Sequence, residues 1–393
     1  MNAVNVPGPA GPGLVMKAAG WWGKHALAQI ALICAVVALF WWLGANTVES
    51  MARIGIAPGF DFLFRSANFE IGESMIPFGA GDTYGRALLA GLLNTVKVAL
   101  LGCLLATLLG VALGVARLSG NLLLANLVRW YVDVVRNTPL LLQLFFWSGL
   151  LKALPGPRQA ISLLDAAFLT NRGVNVPAMI LGPVAPLTLV SVGLILFLGI
   201  GATVLLWRTG RVGRALLAPP AALGLALLML IFSGTTLSLD IPALSGFNIR
   251  GGWTLTPEFA ALLIGLVVKF SANIAEIVRA GIESVTTGQW EAARSLGLHG
   301  GQIMRLVVLP QALRVITPMT TSIYLDLTKD SSLAVAIGYP DLVSVANTTA
   351  NTTGQALESL AVIVVVFLSI NLSIAGLMNM YNRRVALRGE GRR

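Results

Sequence analysis

The chain has 393 residues, of which 56% are hydrophobic and only 11% are charged, with a mean hydropathy of +0.81. A soluble domain is about one-quarter charged, so this balance excludes a soluble globular protein and indicates a polytopic membrane protein. The net charge of +10 then belongs to loops that orient helices rather than to nucleic-acid binding, while two cysteines and two histidines build neither a disulfide framework nor a metal site.

In chain order, "PGPAGPG" at 7–13 is rich in Pro and Gly, and residues 1–25 read as a disordered cytoplasmic tail. Eight apolar runs are long enough to be transmembrane helices, at about 26–44, 88–116, 138–154, 180–206, 215–233, 257–279, 311–335 and 359–380. The first, "ALAQIALICAVVALFWWLG", is longer than a signal-peptide core and no small-residue cleavage site follows it, so it reads as an uncleaved span. Residues 45–87 form a periplasmic segment, and 381–393 a basic cytoplasmic tail. With the N-terminus inside, fifteen Lys and Arg fall in inner segments and six in outer ones, as the positive-inside rule requires.

At "RNTPL", Asn137 or Thr138 is placed to cap the third span and Pro139 to occupy its first turn. Arg136 adds an inner anchor, and substrate contact by this motif is the alternative. Ionisable groups inside spans are costly and face a protein interior or an aqueous cavity. They are Lys97, Lys269, Glu276, Asp326, Lys329 and Asp330. Lys269, Asn273 and Glu276 share one helix face. Lys269, about halfway across, is either a substrate-pathway group or part of an interhelical ion pair. Lys329, one turn from Asp326 and beside Asp330, reads as an intramembrane ion pair or a pathway element. The repeated "NTT" at 347 and 351 reads as a polar outer loop.

Between the sixth and seventh spans lies "GQWEAARSLGLHGGQIMRLVVLP", residues 288–310. Thr286 or Thr287 suits the start of a short surface helix, Glu291 complements its positive N-terminus and Gly297 supplies a left-handed stop. "HGG" reads as a flexible corner, and Pro310 fits the first turn of the next span. A rigid helix held crosswise between two spans can transmit a push.

The spacing Glu291-Ala292-Ala293, three residues, Gly297, nine residues, Val307-Val308-Leu309-Pro310 resembles the EAA loop of ABC-importer permeases, with Val307 in place of Ile. That resemblance implies that Glu291, Ala292, Ala293, Arg294, Leu296, Gly297 and Pro310 belong to a coupling helix that docks into a separate ATPase subunit. "VVRNTPLLLQLFF", "IAEIVRAGIESVTTGQWEAARSLGL", "PQALRVITPMTTSIYLDLTKDSSLAVAIG" and "GFDFLFRSANFEIGES" are similar to permeases for polar and general L-amino acids. In that family's "KDSSL" block, Lys329, Asp330 and Ser331 are implied as gate or pathway elements.

The resemblance implies an all-α type I permease core of five helices, built from 88–154 and 257–380, with the coupling loop at 286–310. One helix precedes this core and two are inserted within 155–256. It also implies a second related permease, two ATPase subunits that use ATP and Mg, a periplasmic binding protein that delivers the L-amino acid, and no cofactor in this chain. "LHGGQ" at 298–302 resembles an ABC ATPase signature, but no G-x-x-x-x-G-K-[ST] is present to cradle nucleotide phosphates. The alternatives are an ion- or proton-coupled transporter in which Glu276 or Asp330 titrates, and a membrane scaffold.

Overall fold

The computed structural model describes residues 26–53, 55, 59–163, 166–181, 186–208, 212–233 and 237–387. The expected tail at 1–25 with Lys17 and Lys24, Arg211, and the end of the basic tail after Leu387 lie outside the described residues.

Short polar residues set the helix limits. Helix α1 is Ala26–Arg53, and α2 is Tyr84–Arg117, whose cap Thr83 accepts from the Arg86 backbone N–H at 3.3 Å. Asn121 accepts from Leu123 and Leu124 to start α3, Leu122–Asn137, and α4 follows as Leu140–Lys152. Helices α5 (Pro186–Arg208) and α6 (Val212–Phe232) form the inserted pair. Thr256 and Pro257 begin α7, Pro257–Glu283. Helix α8 is Thr287–Ser295. Short α9 (Gly300–Ile303) passes through a π turn at Met304–Val308 into α10, Leu309–Asp330. A 3₁₀ segment, Ser331–Ile337, leads to α11 (Leu342–Thr353) and α12 (Ala356–Leu387).

Among the described residues five helical segments are long and apolar enough to cross a membrane: Leu27–Ser50, Tyr84–Arg117, Pro257–Glu283, Gly300–Ile337 and Ala356–Asn382. The other three expected spans correspond to the 13-residue α4 and to α5 and α6, whose apolar stretches are Val190–Thr203 and Leu217–Leu230. The outer segment begins later than expected, since α1 runs to Arg53, and α12 takes the start of the expected tail into a helix.

Two further corrections concern segments read as loops. The "NTT" region is helix α11, because Asp341 caps it and Gly354 (φ +75°) ends it. Flanking the inserted pair are eight short strands that the helical reading of 155–256 did not anticipate. They are β1 Ile161–Leu163, β2 Ala167–Thr170, β3 Gly173–Val176, β4 Ala178–Leu181, β5 Leu237–Asp240, β6 Ala243–Ser245, β7 Asn248–Arg250 and β8 Trp253–Leu255. β3 pairs with β8 and β4 with β5, both antiparallel, so the chain entering the inserted helices is zipped to the chain leaving them. Strands of three or four residues carry too few alternating positions to register as a period.

α2 and α7 run parallel and pack along their length through small residues, forming the spine of the bundle. The main core joins Val98, Leu144, Leu262, Leu266, Ile274 and Leu327. A second cluster joins Phe62 and Tyr84 to Leu342 and Val345, fastening the segment before α2 onto α11. Two polar residues reinforce this end. Asn94 donates to the carbonyls of Glu73 (2.7 Å) and Pro340 (2.9 Å), and the Glu73 carboxylate is held by Lys97 and by the Thr256 hydroxyl. Lys97 also lies 4.1 Å from the centroid of the Phe259 ring.

Asp341 lies outside the five spans and is fully buried. One carboxylate oxygen accepts from the Ser344 N–H at 2.8 Å, and the other has no hydrogen-bond partner. Burial pushes the carboxyl up to about 7, against the lowering effect of the backbone N–H bonds. A carboxyl raised in the folded state contributes stability that is present at low pH and lost as pH rises toward 7. Melting temperature is therefore expected to fall between about pH 4 and 7, with Asp341→Asn, a good helix cap, removing that slope. A variant that keeps the wild-type slope would show that Asp341 is not its source.

Candidate functional site

The residues of 286–310 form a braced bar rather than a slack connection. α7 ends at Glu283, and three residues later α8 begins. Thr286 holds the N-cap position but makes no side-chain cap bond, and Glu291 stands fifth in the helix rather than in its first turn. The helix-start role expected for Glu291 is thus corrected: its carboxylate lies on the exposed face. Ala293 is buried in, and Trp290 half-buried against, the core cluster that includes Ile303, Val308 and Ala312, and α8 packs on α9 and the π turn that lead into α10. Glu291, Ala292, Arg294 and Leu296 face outward, with Leu296 79% exposed.

The stop works as expected. Gly297 adopts φ +75°, its N–H donates to Arg294 at 2.9 Å, and the Leu298 N–H donates to Ala293 at 3.2 Å, a complete Schellman motif. "HGG" is not a flexible corner, however. His299 starts α9, with its N–H donating to the Gln302 side chain at 3.2 Å. Pro310 occupies the first turn of α10, as the sequence indicates. Having no N–H, it cannot bond one turn back, and the preceding residues relax into the π turn.

At the same end, Glu276 on α7 is ringed by guanidinium groups. Arg117 at the end of α2 bonds it, Arg279 bonds it at 2.6 Å, and Arg136 at the end of α3 lies 3.9 Å away. Arg279 also pairs with Glu283. Glu276 is thus an anion that gathers the ends of three helices, α2, α3 and α7, through these arginines. Glu276→Gln is expected to destabilise the chain by roughly 3 kcal/mol by removing the carboxylate that pairs the half-buried Arg117, while Arg279 keeps Glu283, with Glu276→Asp, which keeps the charge, losing less. Equal melting temperatures in detergent for the Glu276→Gln variant and the native chain would contradict this.

Halfway along α7, Lys269 donates to the carbonyls of Arg136 at 2.9 Å, Thr138 at 3.1 Å and Val135 at 3.4 Å. The ammonium therefore meets the open end of α3, not the carboxylate of a neighbouring helix. The capping roles expected in "RNTPL" are also reversed. Asn137 donates to Asp133 and Thr138 to Val134, both back into α3, while Pro139 precedes α4 without a side-chain cap. Asn273 is half-buried on α7. On α10, Lys329 lies 3.7 Å from Asp326, both more than half exposed, and Asp330 interacts electrostatically with Lys269. Ser331 is buried and donates to Thr328 at 2.7 Å.

Sequence reasoning missed the Glu73–Lys97–Thr256 contact. The signal was Lys97 itself, a cation in an apolar run that required a partner from another segment.

Residues 211–387 match the family described as binding-protein-dependent transport system inner membrane component. The amino-acid ABC transporter permease protein YhdX of Escherichia coli K12 is 48% identical over 369 residues, covering 92% of this chain and 94% of that protein. The chain belongs to the permease family of amino-acid ABC transporters. This permease is also 43% identical over 369 residues to the general L-amino acid transport system permease AapQ of Rhizobium johnstonii, covering 91% of each. It is 36% identical to the glutamate/glutamine/aspartate/asparagine permease BztB of Rhodobacter capsulatus, covering 92% of this chain and 93% of that one. The crystal structure of an amino acid ABC transporter with histidines superposes with a TM-score of 0.47 at 22% identity, over 77% of this chain and 95% of that one. With its spanning helices and an inner-membrane transport family, the permease is a multi-pass membrane protein.

Proposed function

We propose that the chain is the permease through which L-amino acids, delivered by a periplasmic binding protein, cross the inner membrane at the expense of ATP hydrolysed elsewhere. The observation that carries this reading is α8: a short helix, fixed by Trp290 and Ala293, that presents Glu291, Arg294 and Leu296 outward. Such a bar suits docking into a cleft of a separate ATPase. Closure of two ATPase subunits, using ATP and Mg, displaces α8 and switches the path between outward and inward access. The excess of Lys and Arg in the inner segments supports cytoplasmic termini and a cytoplasmic α8. A second, related permease completes the pathway. The delivery protein sets much of the selectivity, so a narrow pocket in this chain is not required.

Co-expression with the candidate ATPase, second permease and binding protein, followed by reconstitution in proteoliposomes, tests the reading. Uptake of labelled amino acids is expected to need ATP and the binding protein and to be blocked by vanadate. Uptake that survives vanadate and collapses with the proton gradient would overturn it.

A further inference from the structure

The junction of α3 and α4 is a broken helix set beside the middle of α7. Pro139 has no N–H and disfavours helical backbone at Thr138, so the last turn of α3 is left short of intrahelical donors, the Val135 carbonyl taking the Thr138 N–H at a long 3.3 Å. Irregular backbone at membrane depth persists only where protein satisfies it. Two side chains do so. Gln143 donates to the carbonyls of Val135 at 3.1 Å and Thr138 at 3.2 Å, and Lys269 donates to Val135, Arg136 and Thr138. All three ammonium protons are matched by carbonyls, and the cation faces the negative end of the α3 dipole.

Lys269 belongs to the helix that ends in the coupling segment. From Lys269 to Thr287 is about 27 Å at 1.5 Å per helical residue, and α7 is unbroken over nearly all of it. Against the break lies an apolar cavity of about 330 Å³ lined by Val135, Thr138, Leu142, Gln143 and Trp147, room into which the junction can bend. One ammonium thus joins a helix break to the helix leading to α8.

We propose that Lys269 is a positioning residue that ties the α3–α4 hinge to α7, so that displacement of α8 resets the hinge during transport. This rests on the ATP-driven reading above. The test uses the complete transporter in lipid nanodiscs and proteoliposomes, with the variants Lys269→Met, Lys269→Arg and Gln143→Leu. Amide hydrogen exchange in residues 134–146 reports the hinge without any need for ATP. Amino acid imported per ATP hydrolysed reports its coupling.

Lys269→Met is expected to raise exchange at the junction at least tenfold and to cut import per ATP at least tenfold, with the KM for the loaded binding protein within twofold. Lys269→Arg, which keeps a cation with several donors, is expected to stay within threefold of wild type in both. Gln143→Leu is expected to raise exchange to a smaller extent. Unchanged exchange in Lys269→Met, an Arg variant as defective as the Met variant, or a raised KM with unchanged turnover would each overturn the proposal. If the wild-type complex shows no ATP-dependent import, the transport reading fails, while the exchange comparison still decides whether Lys269 holds the junction.

Discussion

Replacing Glu291 with Lys, or Gly297 with Val, is expected to lower ATP-driven uptake at least about tenfold while the chain still inserts and packs, a loss of about 1.4 kcal/mol or more in coupling. The two changes act differently. Glu291 lies on the outward face of α8 and belongs to no core cluster, so reversing its charge alters only what that face presents. Gly297 holds a left-handed backbone (φ +75°), and a Cβ there would meet nothing within 4 Å. The penalty for Val is therefore conformational, about 1–3 kcal/mol for a non-glycine residue held in that region. The chain relieves it by unwinding the Schellman turn, which releases the Ala293 and Arg294 carbonyls and swings Leu296 out of place. Gly297→Asn separates this cause from bulk, since Asn tolerates the left-handed region and should retain most uptake. Normal uptake by both Glu291→Lys and Gly297→Val, with the ATPase still attached, would show that α8 does not carry the force.

These expectations show which parts of the molecule were legible in the residues. Apolar runs of the right length marked the five long spans found among the described residues, because lipid penalises charge strongly enough to leave a one-dimensional record. The short helix α8 and its exit were legible because their devices are local: a glycine with positive φ and a proline at a helix start act within a few residues. The same locality misled at "RNTPL". The rules for capping do not say whether Asn137 and Thr138 serve the helix before or the helix after them, and here their side chains turn back into α3. The partners of Lys269 and Glu276 were illegible for a different reason. Each lies more than 100 residues away in sequence from its key contacts, at Arg136 and Arg117, and helical spacing on α7 cannot reveal what a distant helix brings to it. Lys269 and Glu276 share the α7 face foreseen from their spacing, yet one binds carbonyls and the other guanidiniums. The zipped strands were hidden because pairing across the inserted helices, Asn175 to Thr254 for instance, is a long-range event between very short segments.

The largest structural effect is expected at the contact of α2 and α7. Gly110 and Gly114 stand one turn apart on α2 against α7, and lipid offers no hydrophobic force to hold helices together, so close backbone approach must do it. A Cβ on Gly110 would lie 2.7 Å from the Ile274 Cβ and 2.9 Å from the Ser271 carbonyl oxygen. On Gly114 it would lie 2.8 Å from the Val278 Cβ and 2.9 Å from the Ala275 carbonyl. Because backbone and Cβ atoms rather than flexible side-chain ends stand in the way, a change of rotamer cannot relieve the clash, and the helices must separate. Gly110→Leu and Gly114→Leu are each expected to cost about 3 kcal/mol or more, seen as loss of monodisperse protein and a lower melting temperature in detergent. Separation at this level would also part Arg117 from Glu276 and Val128 from Ala272, so the arginine cluster and the α3 contact fail with the spine. Gly149→Leu is the control, since a Cβ there meets nothing within 4 Å and should leave the melting temperature nearly unchanged. Should Gly110→Leu melt with the Gly149→Leu control, the two helices are not in the close contact on which the placement of α8 beneath α7 depends.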